Sequence, residues 1–276
     1  MAPPLLTDRA QLARQRARAA ARPAWFLHEE ALREVQERLA EVNRSFTRPA
    51  VITAMPAIWG PAFPGARIVP DADPIGLAEG AHDLVIDALT LHWADDPVGR
   101  IVQSRRALVP DGLYLGVLFG GRSLHELRTS LAEAESRLTG GLSPRIVPMG
   151  EIRDLGALLQ RADLALPVAD AVTLRISYES AIHLMRDLRA MGEGNALAAR
   201  RRIPAPRALF AEASRIYAEA FGAPDGRVLA TVEMVFLTGW APDPSQPRAL
   251  RPGSAMRRLA DALGTEERSA GEKAGP

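Results

Sequence analysis

One segment, PAVITAMPAIWGPAFPGARIVP from Pro49 to Pro70, restricts the fold of this chain more than any other. Ala50 to Ala54 is apolar and includes Val51, Ile52 and Thr53, which suits a strand covered on both faces. Such a strand normally runs into a glycine turn and a long helix, because parallel neighbours need a crossover. Here Pro56, Gly60, Pro61, Pro64 and Gly65 interrupt the stretch where that helix would lie. The expectation is therefore that the crossover helix is missing and that the next strand begins near Ala66.

From Ala66 onward, strand and helix patterns alternate. ARIV and HDLVIDAL (82–89) read as strands, VGRIVQSRRAL (98–108) as a helix stopped by VPDG, and LYLGVLFGG as a strand. Ser123 to Gly141 reads as a helix with a serine cap and a glycine stop, and IRDLGALLQRA as another helix. The region from Val172 to about Gly222 reads as helical, and LATVEMVFLTGW (229–240) as a last strand. Strands separated by helices of this length predict a mostly parallel α/β sheet. The predicted organisation is an N-terminal helical extension over 1–45, a domain over 46–255 with a helical insertion at about 180–222, and a polar tail over 256–276.

Composition narrows the function classes. The 276 residues carry 34 basic and 33 acidic side chains, a formal charge of +1, so nothing in the overall balance points to nucleic acid or an anionic membrane. Cysteine is absent, which removes disulfides, thiolate metal sites and cysteine nucleophiles. No histidine pair stands at ligand spacing, so no metal site is expected. No apolar run reaches the roughly 18 residues of a membrane span. The start is rich in arginine, from Arg9 to Arg22, with one acid, Asp8. A mitochondrial presequence shares that bias, but the pattern continues into an amphipathic helix from Leu27 to about Asn43, which favours two helices packed on the domain.

The densest chemistry lies in DADPIGLAEGAHDLVIDALTLHWADDP, Asp71 to Pro97. Its order of acid, short loop, DLV, apolar strand, LHW and then RRALVPDGLYLG resembles the central block of class I S-adenosylmethionine-dependent methyltransferases. The wider frame, with LTLHWADDPVGRIVQSRRALVPDGLYLGVLFGG, LMRDLRAMGEGNAL and ATVEMVFLTGWAP, is similar to the complex I assembly factor 5 family of arginine hydroxylases. More distantly it resembles the biotin-pathway malonyl carrier-protein methyltransferases. The resemblance implies a Rossmann-like methyltransferase fold whose N-terminal half is truncated. About ten residues separate Ala54 from Ala66, where a helix, a strand and a second helix would need about forty.

That resemblance sets the remaining expectations. The family's glycine loop falls on Met55 and Ala57 without its glycines, so S-adenosylmethionine, if held at all, is expected to bind weakly, through Met55, Ala57, Asp71, Ala72, Asp87 and Leu89. Asp71 matches the position that accepts from the adenine amino group; a plain surface aspartate is the alternative. His92 and Asp87, at or just past the end of the fourth strand of the full fold, are weak catalytic candidates; plugging the sheet end is the other reading of His92. Trp93, Arg186 and Arg189 are candidates to meet a substrate or partner. The implied partner is a protein, a peripheral-arm subunit of respiratory complex I, with no nucleic acid and no membrane span. The implied place is the bacterial cytoplasm or, alternatively, the mitochondrial matrix. Whether the chain is an enzyme or a scaffold that keeps the fold stays open, as does methyl transfer to a small or carrier-bound acid.

Overall fold

Six strands form a single sheet in the order β2-β1-β3-β4-β6-β5, where β1 is Pro49–Thr53, β2 Arg67–Val69, β3 His82–Ala88, β4 Leu108–Phe119, β5 Ala165–Tyr178 and β6 Val228–Trp240. The computed structural model describes residues 5–247 and the isolated positions 258, 260, 261, 264 and 265. Residues up to Pro242 make one compact unit and those from Asp243 another; the tail expected over 256–276 falls mostly outside the described residues. β2, β1, β3 and β4 are parallel. β6 runs antiparallel to both β4 and β5.

The short link between β1 and β2 has the expected result: among the described residues the sheet has no further strand on this side, and β2 lies directly beside β1. The expectation that no helix forms there is corrected. A seven-residue helix, α3 (Pro56–Ala62), fills the gap. Pro56 stands in its first turn, where a missing N–H costs no helical bond, and Pro61 comes one residue before the end. The helix buries Ile58 and Trp59 and is the short crossover that joins the parallel neighbours β1 and β2.

Two further helices precede the sheet, α1 (Arg9–Ala19) and α2 (Phe26–Glu41). Asp8 caps α1 by accepting from the Gln11 amide at 2.9 Å, and Arg16 and Arg18 in its last turn complement the helix dipole. α2 turns Leu27, Ala31 and Val35 inward. The remaining helices are α4 (Pro97–Ala107), α5 (His125–Thr139), α6 (Ile152–Arg161), α7 (Ala181–Ala190) and α8 (Arg207–Phe221). Successive residues of β3 feed opposite layers: Leu84 and Ile86 join α2, α5 and α8 on one face, while Val85 joins α4 and α6 on the other. Each such fully buried aliphatic contributes roughly 1.5–3 kcal/mol.

Several local expectations change. VPDG does not stop a helix ahead of a strand but lies inside β4. Ser123 does not cap α5; the cap position is Leu124, at φ 55°, and the Ser123 hydroxyl bonds instead to the Glu233 backbone. β5 occupies part of the region read as helical. α7 ends at Ala190, and Gly192 at φ 80° turns the chain away.

Candidate functional site

Asp71 follows β2 by two residues, and its side chain is 1% exposed. Arg16 donates to its Oδ2 at 2.6 Å, and Arg9 donates to Oδ1 at 3.2 Å. Arg100 of α4, itself buried, donates to the same Oδ1. Burial pushes the carboxyl upward, yet Arg16 and Arg100 outweigh it and hold the group at about 2. Arg9 also lies 3.6 Å from Asp95, whose Oδ1 accepts from the amides of Leu6 and Thr7.

Asp87 lies one residue before the end of β3. It is fully buried, and its Oδ1 accepts from the Thr90 hydroxyl at 2.5 Å. Its Oδ2 has no hydrogen bond and stands 3.8 Å from Arg100. Burial pushes the Asp87 carboxyl up against the pull of Arg100. The buried Tyr114 hydroxyl likewise has no partner.

Past β3, the turn Leu91–Trp93 directs two rings toward Glu193 in the loop after α7. His92 Nε2 lies 3.1 Å from Glu193 Oε2, and Trp93 Nε1 donates to the same oxygen at 2.7 Å. His92 Nδ1 is buried without a partner, and its ring centroid is 4.9 Å from that of Phe119. Burial raises the Glu193 carboxyl, but His92, Arg16 and the Trp93 indole bring it below its ordinary value. The carboxylate is thus kept ionised inside the protein.

Glu193 lines a cavity of about 280 Å³ at the carboxyl ends of β3 and β4, where open α/β sheets place their ligands. Its walls are mainly aliphatic, from α2, α5 and α7, with Phe119, Trp93 and Phe210 supplying rings. Arg145 and Arg189 also line it. Arg145 is engaged by Glu135, at 2.6 and 3.0 Å; Arg189 is exposed.

The N-terminal arm closes this end of the protein. Thr7 bridges to Leu197, the Thr7 hydroxyl donates to the Trp93 carbonyl at 2.8 Å, and Arg200 pairs with Asp8 at 2.8 Å. Gly192 and Gly194 permit the approach. A Cβ on Gly192 would come within 3.2 Å of the Arg16 Cα, and one on Gly194 within 2.8 Å of the Gln15 side-chain Nε2.

Of the residues singled out in the sequence, Trp93 and Arg189 line the cavity, and His92 joins it through Glu193. Arg186 is exposed on α7 and outside the lining. Met55, Ala57, Asp71, Ala72, Asp87 and Leu89 are also outside it. Met55 and Leu89 pack in the core, Asp87 is sealed, both Asp71 oxygens hold guanidinium groups, and Ala57 and Ala72 are exposed. Sequence reasoning missed Glu193, and missed the pairing of Asp71 with Arg9 and Arg16, which share a helix face two turns apart.

The four parallel strands, the reversed strand β6 between β4 and the edge strand β5, and the cavity at the strand ends define a Rossmann-like α/β protein of the class I methyltransferase type. The chain is a homologue of arginine-hydroxylase NDUFAF5, mitochondrial, with 36% identity to the Danio rerio protein over 199 residues, covering 72% of this chain and 62% of that one. The Homo sapiens protein is 36% identical over 193 residues, covering 70% and 56%. Malonyl-[acyl-carrier protein] O-methyltransferase of Xylella fastidiosa is 33% identical over 184 residues, covering 67% and 59%. The chain thus spans less than two thirds of the length of these relatives. A putative methyltransferase structure from Bacillus halodurans aligns with a TM-score of 0.48 at 12% identity, over 77% of this chain and 99% of that one. No family model matches the chain.

Proposed function

We propose that this protein acts in the assembly of respiratory complex I by receiving an arginine-bearing segment of a peripheral-arm subunit in the cavity beneath α7. The observation that carries this reading is a contrast between two places. The cavity at the strand ends is open to an apolar-walled side chain, whereas Asp71, the one family cofactor anchor that survives in the sequence, is already held by Arg9, Arg16 and Arg100. Binding a protein side chain is therefore better supported than methyl transfer to a small or carrier-bound acid, the reading suggested by the name of the Xylella relative. The arginine-hydroxylase relatives supply the substrate class. Their mitochondrial designation supports the matrix, the alternative to the bacterial cytoplasm. Among the described residues no helix is long and apolar enough to cross a membrane.

The test is genetic and structural at once. Deleting the gene should lower assembled complex I on native gels, and the parent chain should restore it. A variant with Leu188→Trp, which fills the cavity from α7, should fail to restore it while melting as the parent does. Full restoration by the filled variant, or normal complex I in the deletion strain, would overturn the proposal.

A further inference from the structure

We infer that Glu193 is the acceptor for the guanidinium of the incoming arginine, the residue that sets the specificity of the cavity. The inference rests on the function proposed above. Glu193 lines the cavity with a side chain 10% exposed. Its Oε2 takes both donors, from His92 and Trp93, and its Oε1 accepts no hydrogen bond among the described residues. No arginine lies within ion-pair distance of it there; its one titratable neighbour within that distance is the imidazole of His92. A buried carboxylate held ionised, with one oxygen free at a cavity wall, favours a cation with donors to spare.

The walls select which cation. Leu27, Leu127, Leu131, Met185 and Leu188 line the cavity and match an aliphatic stem. The planar guanidinium is less strongly hydrated than an ammonium and stacks on ring faces, and Phe119 and Trp93 supply such faces here. The two arginines of the lining do not fill the role from within. Arg145 is tied to Glu135, and Arg189, exposed, is screened by solvent.

The test uses the full chain and short peptides that differ in one side chain: arginine, lysine or the neutral isostere citrulline. Titration calorimetry should show the arginine peptide binding at least tenfold tighter than the citrulline one, with lysine between. Glu193→Gln, which keeps an oxygen for the Trp93 indole, should remove that preference while the melting temperature stays close to the parent's. Leu188→Trp should abolish binding of all three peptides with Glu193 intact. Equal binding of arginine and citrulline, no binding of any peptide, or a folded Glu193→Gln that keeps the preference would overturn the assignment. Rescue of complex I is a separate readout. If the parent restores assembly yet shows no arginine preference, this inference fails and the proposed function stands; if deletion leaves complex I intact, the function itself fails.

Discussion

Arg16 reaches from the last turn of α1 to within 2.6 Å of Asp71, so the carboxylate that resembles a cofactor anchor here fastens an N-terminal helix to the sheet. The same contact fixes where Gln15, the next residue back, meets the cavity.

Removing Asp71 should therefore be costly whether or not any ligand binds. In Asp71→Asn the buried Arg100, with a side chain 3% exposed, loses its closest counter-charge, and the expected loss is about 3 kcal/mol, at the low end for one partner of a buried pair. Arg9→Ala should cost less than about 1 kcal/mol, because that side chain is 32% exposed. Urea unfolding compares the two; equal losses would contradict this ranking.

Acid should weaken the fold in two stages. His28 is buried, accepts from the Trp59 indole at 3.3 Å, and is held by burial at about 4 instead of 6.5. Between those values the unfolded chain takes a proton that the folded chain refuses, so stability falls as pH drops, by roughly 3 kcal/mol in total. Asp71, with its folded value near 2 against 3.8, adds stability that is present above pH 3.8 and lost as pH falls toward 2. Melting curves from pH 7 to 3 should show the first decline, and His28→Gln, which keeps an acceptor for the indole, should flatten it. An unchanged slope in that variant would sink the assignment.

Gly192→Ala should loosen α1. The position has φ 80°, and the new Cβ would stand 3.0 Å from the Arg16 Cγ and 3.2 Å from its Cα. The left-handed conformation alone costs roughly 1–2 kcal/mol for a residue with a Cβ. Brief trypsin treatment should cut within 9–18 faster in the variant than in the parent, with the rest of the chain resisting equally.

Tyr114 and Gly116 should behave as a coupled pair. The Tyr114 hydroxyl has no partner, so Tyr114→Phe should change stability by no more than about 1 kcal/mol. Gly116→Ala would place a methyl 2.6 Å from that hydroxyl and should cost about 1–3 kcal/mol. In the double variant the closest approach relaxes from the hydroxyl at 2.6 Å to the ring carbon at 3.1 Å, and a double-mutant cycle should show a clear positive coupling. Strict additivity would mean that the backbone, not the hydroxyl, limits position 116.

Much of the sheet was legible because its signals are local. The apolar run of β1, the HDLVIDAL strand and the last strand each announce themselves within a few residues, and α4 and α6 show clean helical spacing. The short α3 was hidden because proline argues against helices in general, and only its place in the first turn makes Pro56 harmless. β5 was missed because it is an edge strand: its inward residues are half-covered and its outward ones exposed, and Pro167, Asp170 and Arg175 interrupt its apolar pattern. The candidate site was less readable. Arg16 and Asp71 are 55 positions apart, and His92 and Glu193 are 101 apart, distances over which no spacing rule operates. Trp93 and Arg189 were found by their family blocks, while the acid they surround was not.

The clasp between Asp8 and Arg200 joins positions 192 apart, and this separation has a consequence for how the chain is made. On a ribosome adding about 5–20 residues each second, the first helix waits on the order of ten seconds or more before the loop it binds exists. During that wait Leu12, buried in the finished protein against Trp93, Val147, Ala196 and Leu197, lacks the last two of these neighbours. The arginines of α1 keep this segment charged and soluble over that interval, and the loss of backbone freedom on closing so long a loop comes last. Closure of this clasp is thus a report that synthesis has passed residue 200, and newborn chains halted earlier should hold α1 only through Asp71, Trp93 and Asp95, leaving its far side open to chaperones and proteases.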